Sequence, residues 1–184
     1  HILSGAVLEP RALDELFPDW RDRDAPIGTT VSEDHFYFYT SGTGALRLPQ
    51  FLIPKPTHND GNFIVSMGNV CRWLATQAEE LGVEVYPGFA AAEVLFDDDG
   101  SVKGIATGDM GISASGDAKD SYTPGIALHA RYTLFAEGCR GHLGKQLIDR
   151  FDLDAGRDPQ HYAIGIKEIW EIPAAQHVEG LVVH

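Results

Sequence analysis

The passage 128–145, LHARYTLFAEGCRGHLGK, restricts the fold more than any other. Leu128, Ala130, Tyr132 and Leu134 alternate with His129, Arg131 and Thr133, and the pattern becomes continuously apolar at Leu134-Phe135-Ala136. Such a change predicts a strand that enters a sheet covered on both faces. It stops at Glu137-Gly138-Cys139-Arg140-Gly141, and Leu143, Leu147 and Ile148 then repeat at helical spacing. Glycines permit a tight turn and close backbone approach to a ligand, and a helix start presents free N–H groups that suit an anion. The same spacing also serves an ordinary strand–turn–helix connection.

The rest of the chain predicts a mixed α/β layout. In 1–20, the apolar segment around Gly5-Ala6 leads to a helix start at Glu9-Pro10. Leu13, Leu16, Phe17 and Trp20 form one apolar stripe, limited to about two turns by Pro18. Residues 35–39 read as an aromatic strand, and Ser41-Gly42-Thr43-Gly44 as a turn. Residues 62–86 read as strand–helix–strand, with Asn69 as N-cap, Gly82 as the residue past the helix end and Val83-Glu84-Val85-Tyr86 as a parallel strand. Two apolar runs, 90–96 and 102–107, flank Asp97-Asp98-Asp99-Gly100 and predict an antiparallel hairpin. That turn lacks the ligand positions of a calcium loop. Residues 110–125 read as a polar loop and 162–170 as the opening strand of another sheet.

Composition narrows the classes. A net charge of −13 disfavours nucleic-acid binding and attraction to an anionic membrane. With 43% hydrophobic and 22% charged residues, the chain can bury a core. Cys71 and Cys139 are too few for a disulfide framework, fit a reducing compartment and read as ordinary small residues; a Cys139–His142 dyad has only proximity in its favour. No metal site is expected. No run approaches the roughly 18 apolar residues of a membrane span. A start at His1, with neither initiator Met nor signal pattern, leads to the expectation of a piece of a longer protein.

The order βαβ, meander, then a strand ending in an acidic residue and glycine resembles the flavoproteins of the glutathione-reductase/hydroxylase superfamily. The passages LSGAVLEPRALDELFPDW (3–20), GNFIVSMGNVCRWLATQAEELGVEVYPGFAAAEVLFDDDGSVKGIATGDMG (61–111), LHARYTLFAEGCRGHLGKQL (128–147) and YAIGIKEIWEIP (162–173) are similar to the electron transfer flavoprotein–ubiquinone oxidoreductase family. The resemblance implies a membrane-associated enzyme that passes electrons from reduced electron transfer flavoprotein, through FAD and a [4Fe-4S] cluster, to ubiquinone. Its implied location is the cytoplasmic face of the bacterial inner membrane or the matrix face of the mitochondrial inner membrane.

The implied fold is a partial FAD-binding domain with an inserted antiparallel β-meander, plus part of a quinone-binding domain. Residues 1–8 would lie near FAD and quinone, 9–60 in the quinone and membrane-associated part, 61–150 in the FAD domain, and 151–184 at the start of the quinone-domain sheet. Gly5 and Ala6, with Ser4, are expected near the isoalloxazine and quinone, Ala91-Ala92 near the adenine, and Glu137-Gly138 beside the pyrophosphate or ribose. Leu13, Leu16, Phe17 and Trp20 are expected at the bilayer interface and quinone entrance. No catalytic acid–base residue is assigned, because the cofactor carries the chemistry. The family's GxGxxG turn and cluster cysteines do not occur here, and its Gly-Gly quinone segment is expected beyond His184. This chain alone is therefore expected to purify without stoichiometric flavin and to be inactive. Two other readings are a related FAD enzyme, geranylgeranyl-reductase-like, and a non-catalytic binding module; the LFPDW and KEIWEIP passages favour the quinone reductase over the former.

Overall fold

Apolar side chains gather in two separate clusters, and each defines a unit of the chain. One unit combines the residues up to Val85 with Gly165–His184, and the other is Tyr86–Ile164. The computed structural model describes residues 4–184.

The first unit begins with β1 (Ser4–Leu8), α1 (Arg11–Leu16), β2 (Thr29–Thr30), β3 (Glu33–Tyr39), β4 (Ala45–Leu48), β5 (Phe63–Ser66) and α2 (Met67–Glu80). β5 lies between β1 and β2 and pairs antiparallel with both. Leu13, Trp20, Ile27, Val65 and Val70 form the core, with Leu8, Phe17, Phe63, Trp73 and Leu74 packed around it. α1 stops at Leu16, two residues before Pro18, which cannot continue a helix. The chain then turns Trp20 inward against Phe63, edge to face at 5.6 Å. A buried indole needs an acceptor, and Trp20 Nε1 donates to Asp14 Oδ1 at 2.8 Å. Buried Gln77 on α2 is likewise satisfied, accepting from Arg23 Nη1 at 3.1 Å.

α2 keeps the predicted face, burying Val70 and Gln77, but starts at Met67 with Ser66 at the N-cap position rather than Asn69. Its end is as expected. Gly82 has φ +84°, and the Gly82 and Val83 N–H groups return to the Glu79 and Ala78 carbonyls.

The second unit carries β6 (Ala91–Phe96), β7 (Val102–Thr107), β8 (Met110–Ile112), β9 (Ala118–Thr123), β10 (Ala127–His129) and α3 (His142–Phe151). β6, β7 and β10 form the expected three-stranded antiparallel meander, with β7 central. Asp97–Gly100 is the hairpin turn, closed by Gly100 N–H to the Asp97 carbonyl and Ser101 N–H to Asp99 Oδ1, both 2.9 Å. α3 lays Leu143 and Leu147 on β6, forming a core with Val94. The chain then returns to the first unit, where β11 (Leu181–Val183) pairs parallel with β3, whose other edge holds β4 antiparallel.

Four expectations are corrected. Val83-Glu84-Val85-Tyr86 forms no strand, so 62–86 is not a parallel βαβ unit; both ladder edges of β5 are already taken by β1 and β2. The strand from Leu128 ends at His129, where its pairing with β7 ends, and Tyr132 and Leu134 are exposed. Residues 162–170 make no ladder and leave Ile164, Ile166, Ile169 and Trp170 exposed. The stretch 110–125 is not a plain loop, since β8 and β9 pair in it as a short hairpin. β-propensity describes a surface that fits a sheet, and a partner ladder must supply the hydrogen bonds.

Trp20 is 2% exposed and Leu16 65%. Trp20→Ala should lower the unfolding free energy by about 3–5 kcal/mol, whereas Leu16→Ala should stay within about 0.5 kcal/mol, both read by urea unfolding followed by far-UV circular dichroism. Asp14 titrates below the ordinary carboxylate value, chiefly through the Trp20 indole N–H and then the Arg21 guanidinium. A depressed carboxyl adds stability above its unfolded value of 3.8 and loses it as pH falls through the folded value. Asp14→Asn should therefore flatten the acid side of a thermal-midpoint-versus-pH curve, below about pH 4.

Candidate functional site

The turn that follows the extended strand segment is the best-defined polar feature of the second unit. α3 begins at His142 after Gly141, and its first N–H groups have no partner inside the helix. Glu137 folds back over them. Its Oε2 accepts from the Gly144 N–H at 2.8 Å and its Oε1 from the Leu143 N–H at 3.4 Å, while His142 Nδ1 stands 3.4 Å from Oε1. The carboxylate thus meets two orphan donors and the positive end of the helix.

Gly141 leaves room for this. A Cβ there would lie 2.4 Å from Glu137 Cβ and 2.7 Å from Oε2. Gly138 has φ +80°, with nothing within 4 Å of a Cβ built on it, so its backbone faces open space. The expected anion at this helix start is therefore the chain's own side chain, and the free surface is the Gly138 backbone. The pairing of Glu137 with the α3 amides was not foreseen, although the E-G-x-x-G-H spacing is a signal that could have found it.

Ala91 opens β6 and packs against the same Leu143 cluster, so β6 and the capped helix share one core. Ala92 falls at a bulge between Ala91 and Glu93 and is exposed. Beside Ala91 lies a largely apolar cavity of about 280 Å³, walled by Tyr86, Phe89, Ile105, Ile126 and Leu128. Gly5 and Ala6 belong to the first unit. Gly5 sits at a bulge of β1 with φ +64°, and Ala6 pairs with Val65 against the core. The side chain of Ser4 lies outside the described residues.

The stripe expected at a bilayer packs mostly inward in this chain. Leu13 and Trp20 are core residues and Phe17 is half-buried against Trp73, so only Leu16 of the four is free at the surface. Besides Ile166, Ile169 and Trp170, this unit exposes apolar side chains on the β3–β4 hairpin. β3 and β4 pair Phe36 with Leu48 and Phe38 with Leu46, which sets these four on one face of the hairpin. Phe38 and Leu46 are exposed, as are Phe51 and Leu52 on the turn after β4. Aromatic residues in 35–39 had signalled a strand, and nothing in their spacing showed that one face stays uncovered.

Cys71 lies in α2 and Cys139 at the Glu137 turn; both are free thiols, and no hydrogen bond joins Cys139 to His142. Among the described residues, no group of three or more His, Cys, Asp or Glu is placed to hold a metal ion, and no helix is long and apolar enough to cross a membrane.

Comparison with known proteins finds relatives that match the chain from end to end. The whole chain is 60% identical to the electron transfer flavoprotein-ubiquinone oxidoreductase of Pseudomonas aeruginosa, covering 34% of that protein. It is 59% identical to a probable enzyme of the same name from Acinetobacter baylyi, covering 32%, and 54% identical to the mitochondrial one of Bos taurus, covering 30%. No family model matches the chain. The chain thus matches electron transfer flavoprotein-ubiquinone oxidoreductases along its whole length and spans about a third of the length of these relatives.

Gly141→Ala should push Glu137 off the α3 amides without straining the backbone, since Gly141 has φ −55°. The expected loss is about 0.5–2 kcal/mol, the usual cost of removing a helix cap, and Glu137→Ala should lose a similar amount. An additive double variant in urea unfolding would show that the two positions act separately and would contradict the packing.

Proposed function

We propose that the family-length enzyme passes electrons from reduced electron transfer flavoprotein to ubiquinone, using FAD and a [4Fe-4S] cluster, and that this chain supplies part of its flavin site and membrane surface. The observation that carries this reading is the 52–60% identity to enzymes of that name along the whole chain.

The residues present suit FAD in two places. The Gly138 backbone, open on its Cβ side, suits close approach by the pyrophosphate or ribose. Ala91, beside an apolar cavity, suits the flat face of an adenine. The Leu143 and Gly144 amides do not fit a phosphate, because Glu137 already accepts from them. FAD, when bound, supplies the redox chemistry, and the protein positions it and excludes competing reactions. Cys71 and Cys139 do not make a cluster site, and no step is assigned to them.

The membrane surface of this chain is the β3–β4 hairpin and the turn after it, not the α1 stripe. Phe38, Leu46, Phe51 and Leu52 project large apolar side chains from one neighbourhood of the fold, where an interfacial protein needs them. Burying three such residues contributes on the order of 5 kcal/mol, at about 1.5–3 kcal/mol each. That offsets the repulsion a net charge of −13 meets at an anionic surface.

Two experiments test this. In a family-length enzyme carrying this segment, Gly138→Leu should fill the space beside the pyrophosphate and expel FAD, seen as loss of visible flavin absorbance per chain. Retention of stoichiometric FAD would refute the placement. In the same enzyme, Phe51→Ser with Leu52→Ser should reduce co-sedimentation with liposomes at least tenfold, whereas Leu16→Ser should leave it unchanged; the opposite ranking would return the interface to α1.

A further inference from the structure

Beside the exposed hairpin, the structure holds a polar recess that none of the roles above uses. Asp34, on β3, has a side chain only 3% exposed. Its Oδ2 accepts from the Asn59 backbone N–H at 3.1 Å and from Asn59 Nδ2 at 3.2 Å. Its Oδ1 is buried and accepts no well-directed hydrogen bond; His184 Nε2 stands 3.1 Å away. A buried carboxylate oxygen left in this state costs free energy that a donor would recover.

Asp34 lines two recesses, of about 310 and 190 Å³, and shares both with Arg47 and Gln50. The smaller also exposes Glu33 and Asp60. The larger is walled by Phe36, Leu48 and Pro49, which continue the apolar face that runs out to Phe38 and Leu46. Among the described residues, the Arg47 side chain makes no ion pair or hydrogen bond, so its guanidinium is available to a ligand.

We infer that this recess binds the headgroup of a phospholipid bearing a primary ammonium, the phosphoethanolamine class. This rests on the membrane surface proposed above. The ammonium brings three N–H donors, which suit Asp34 Oδ1 with Glu33 and Asp60 around it. The phosphate, a few bonds away, suits the Arg47 fork. The acyl chains then leave along Phe36, Leu48, Phe38 and Leu46. A headgroup of zero net charge fits a chain of −13 better than an anionic one. Phosphocholine lacks N–H donors and would leave Asp34 Oδ1 as it is.

The test uses the whole chain with vesicles of phosphatidylcholine alone, and of equal parts phosphatidylcholine and phosphatidylethanolamine with matched acyl chains. Affinity for the mixed vesicles should be about tenfold higher, the effect of one or two charge-assisted hydrogen bonds. Arg47→Gln should weaken binding to both kinds of vesicle, since both lipids carry the phosphate, and leave the preference in place; unchanged affinity for both would overturn the phosphate contact. Because Asp34→Asn alters a buried pair, circular dichroism must first show it folded, and it should then lose the preference while keeping its phosphatidylcholine binding. Soluble phosphoethanolamine should compete for the mixed vesicles better than inorganic phosphate; equal competition would mean a simple phosphate site and overturn the inference. Equal affinity for the two vesicles would overturn it while leaving the membrane surface intact. No binding to either would overturn the membrane reading itself, and the headgroup site with it.

Discussion

The Glu137 carboxylate, set over the first amides of α3, is the interaction on which the second unit and its functional reading depend. It fixes where the helix starts, and so where Leu143, the most buried residue of that unit, enters the core against Val94. It also decides what the turn can bind. A free helix N-terminus attracts phosphate, but this one has its Leu143 and Gly144 donors engaged and much of its positive potential compensated by a carboxylate. The open part of the turn is then the backbone at Gly138, whose missing side chain leaves space, and under the proposed function this is the part that would approach the cofactor.

Much of the fold was legible where the sequence itself supplied the hydrogen-bond partner. α2 and its Gly82 stop, the Asp97–Gly100 hairpin and the Leu143–Leu147 face are local structures whose donors and acceptors lie a few residues apart. The three apolar runs 83–86, 130–136 and 162–170 have equally strong strand patterns and form no ladder. Alternation tells which face would be buried, yet backbone groups need a specific neighbour in register. β5 shows the same rule from the other side, because its two edges are filled by antiparallel partners that spacing alone could not name.

The candidate site was legible in part for similar reasons. Leu13, Leu16, Phe17 and Trp20 form a genuine amphipathic stripe, and a stripe cannot say whether protein or lipid covers it. The deciding detail is polar: Trp20 turns inward because Asp14 can accept its indole proton, with Arg21 beside the same carboxylate. At the β3–β4 hairpin the logic reverses. Phe38 and Leu46 face each other across the pair and stay exposed, and that is a fact of tertiary structure. Asp34 is a further case, since only the fold brings Asn59 and His184 to a carboxylate that the sequence shows as one more acidic residue.

Hydrogen exchange at the Leu143 and Gly144 amides, with and without FAD in a family-length enzyme, tests the role of Glu137 most directly. Capping by the carboxylate predicts that both amides exchange slowly before FAD is added and change little afterwards. Fast exchange in the absence of FAD, slowed only when it binds, would show that these donors belong to the cofactor's phosphates and would contradict the account.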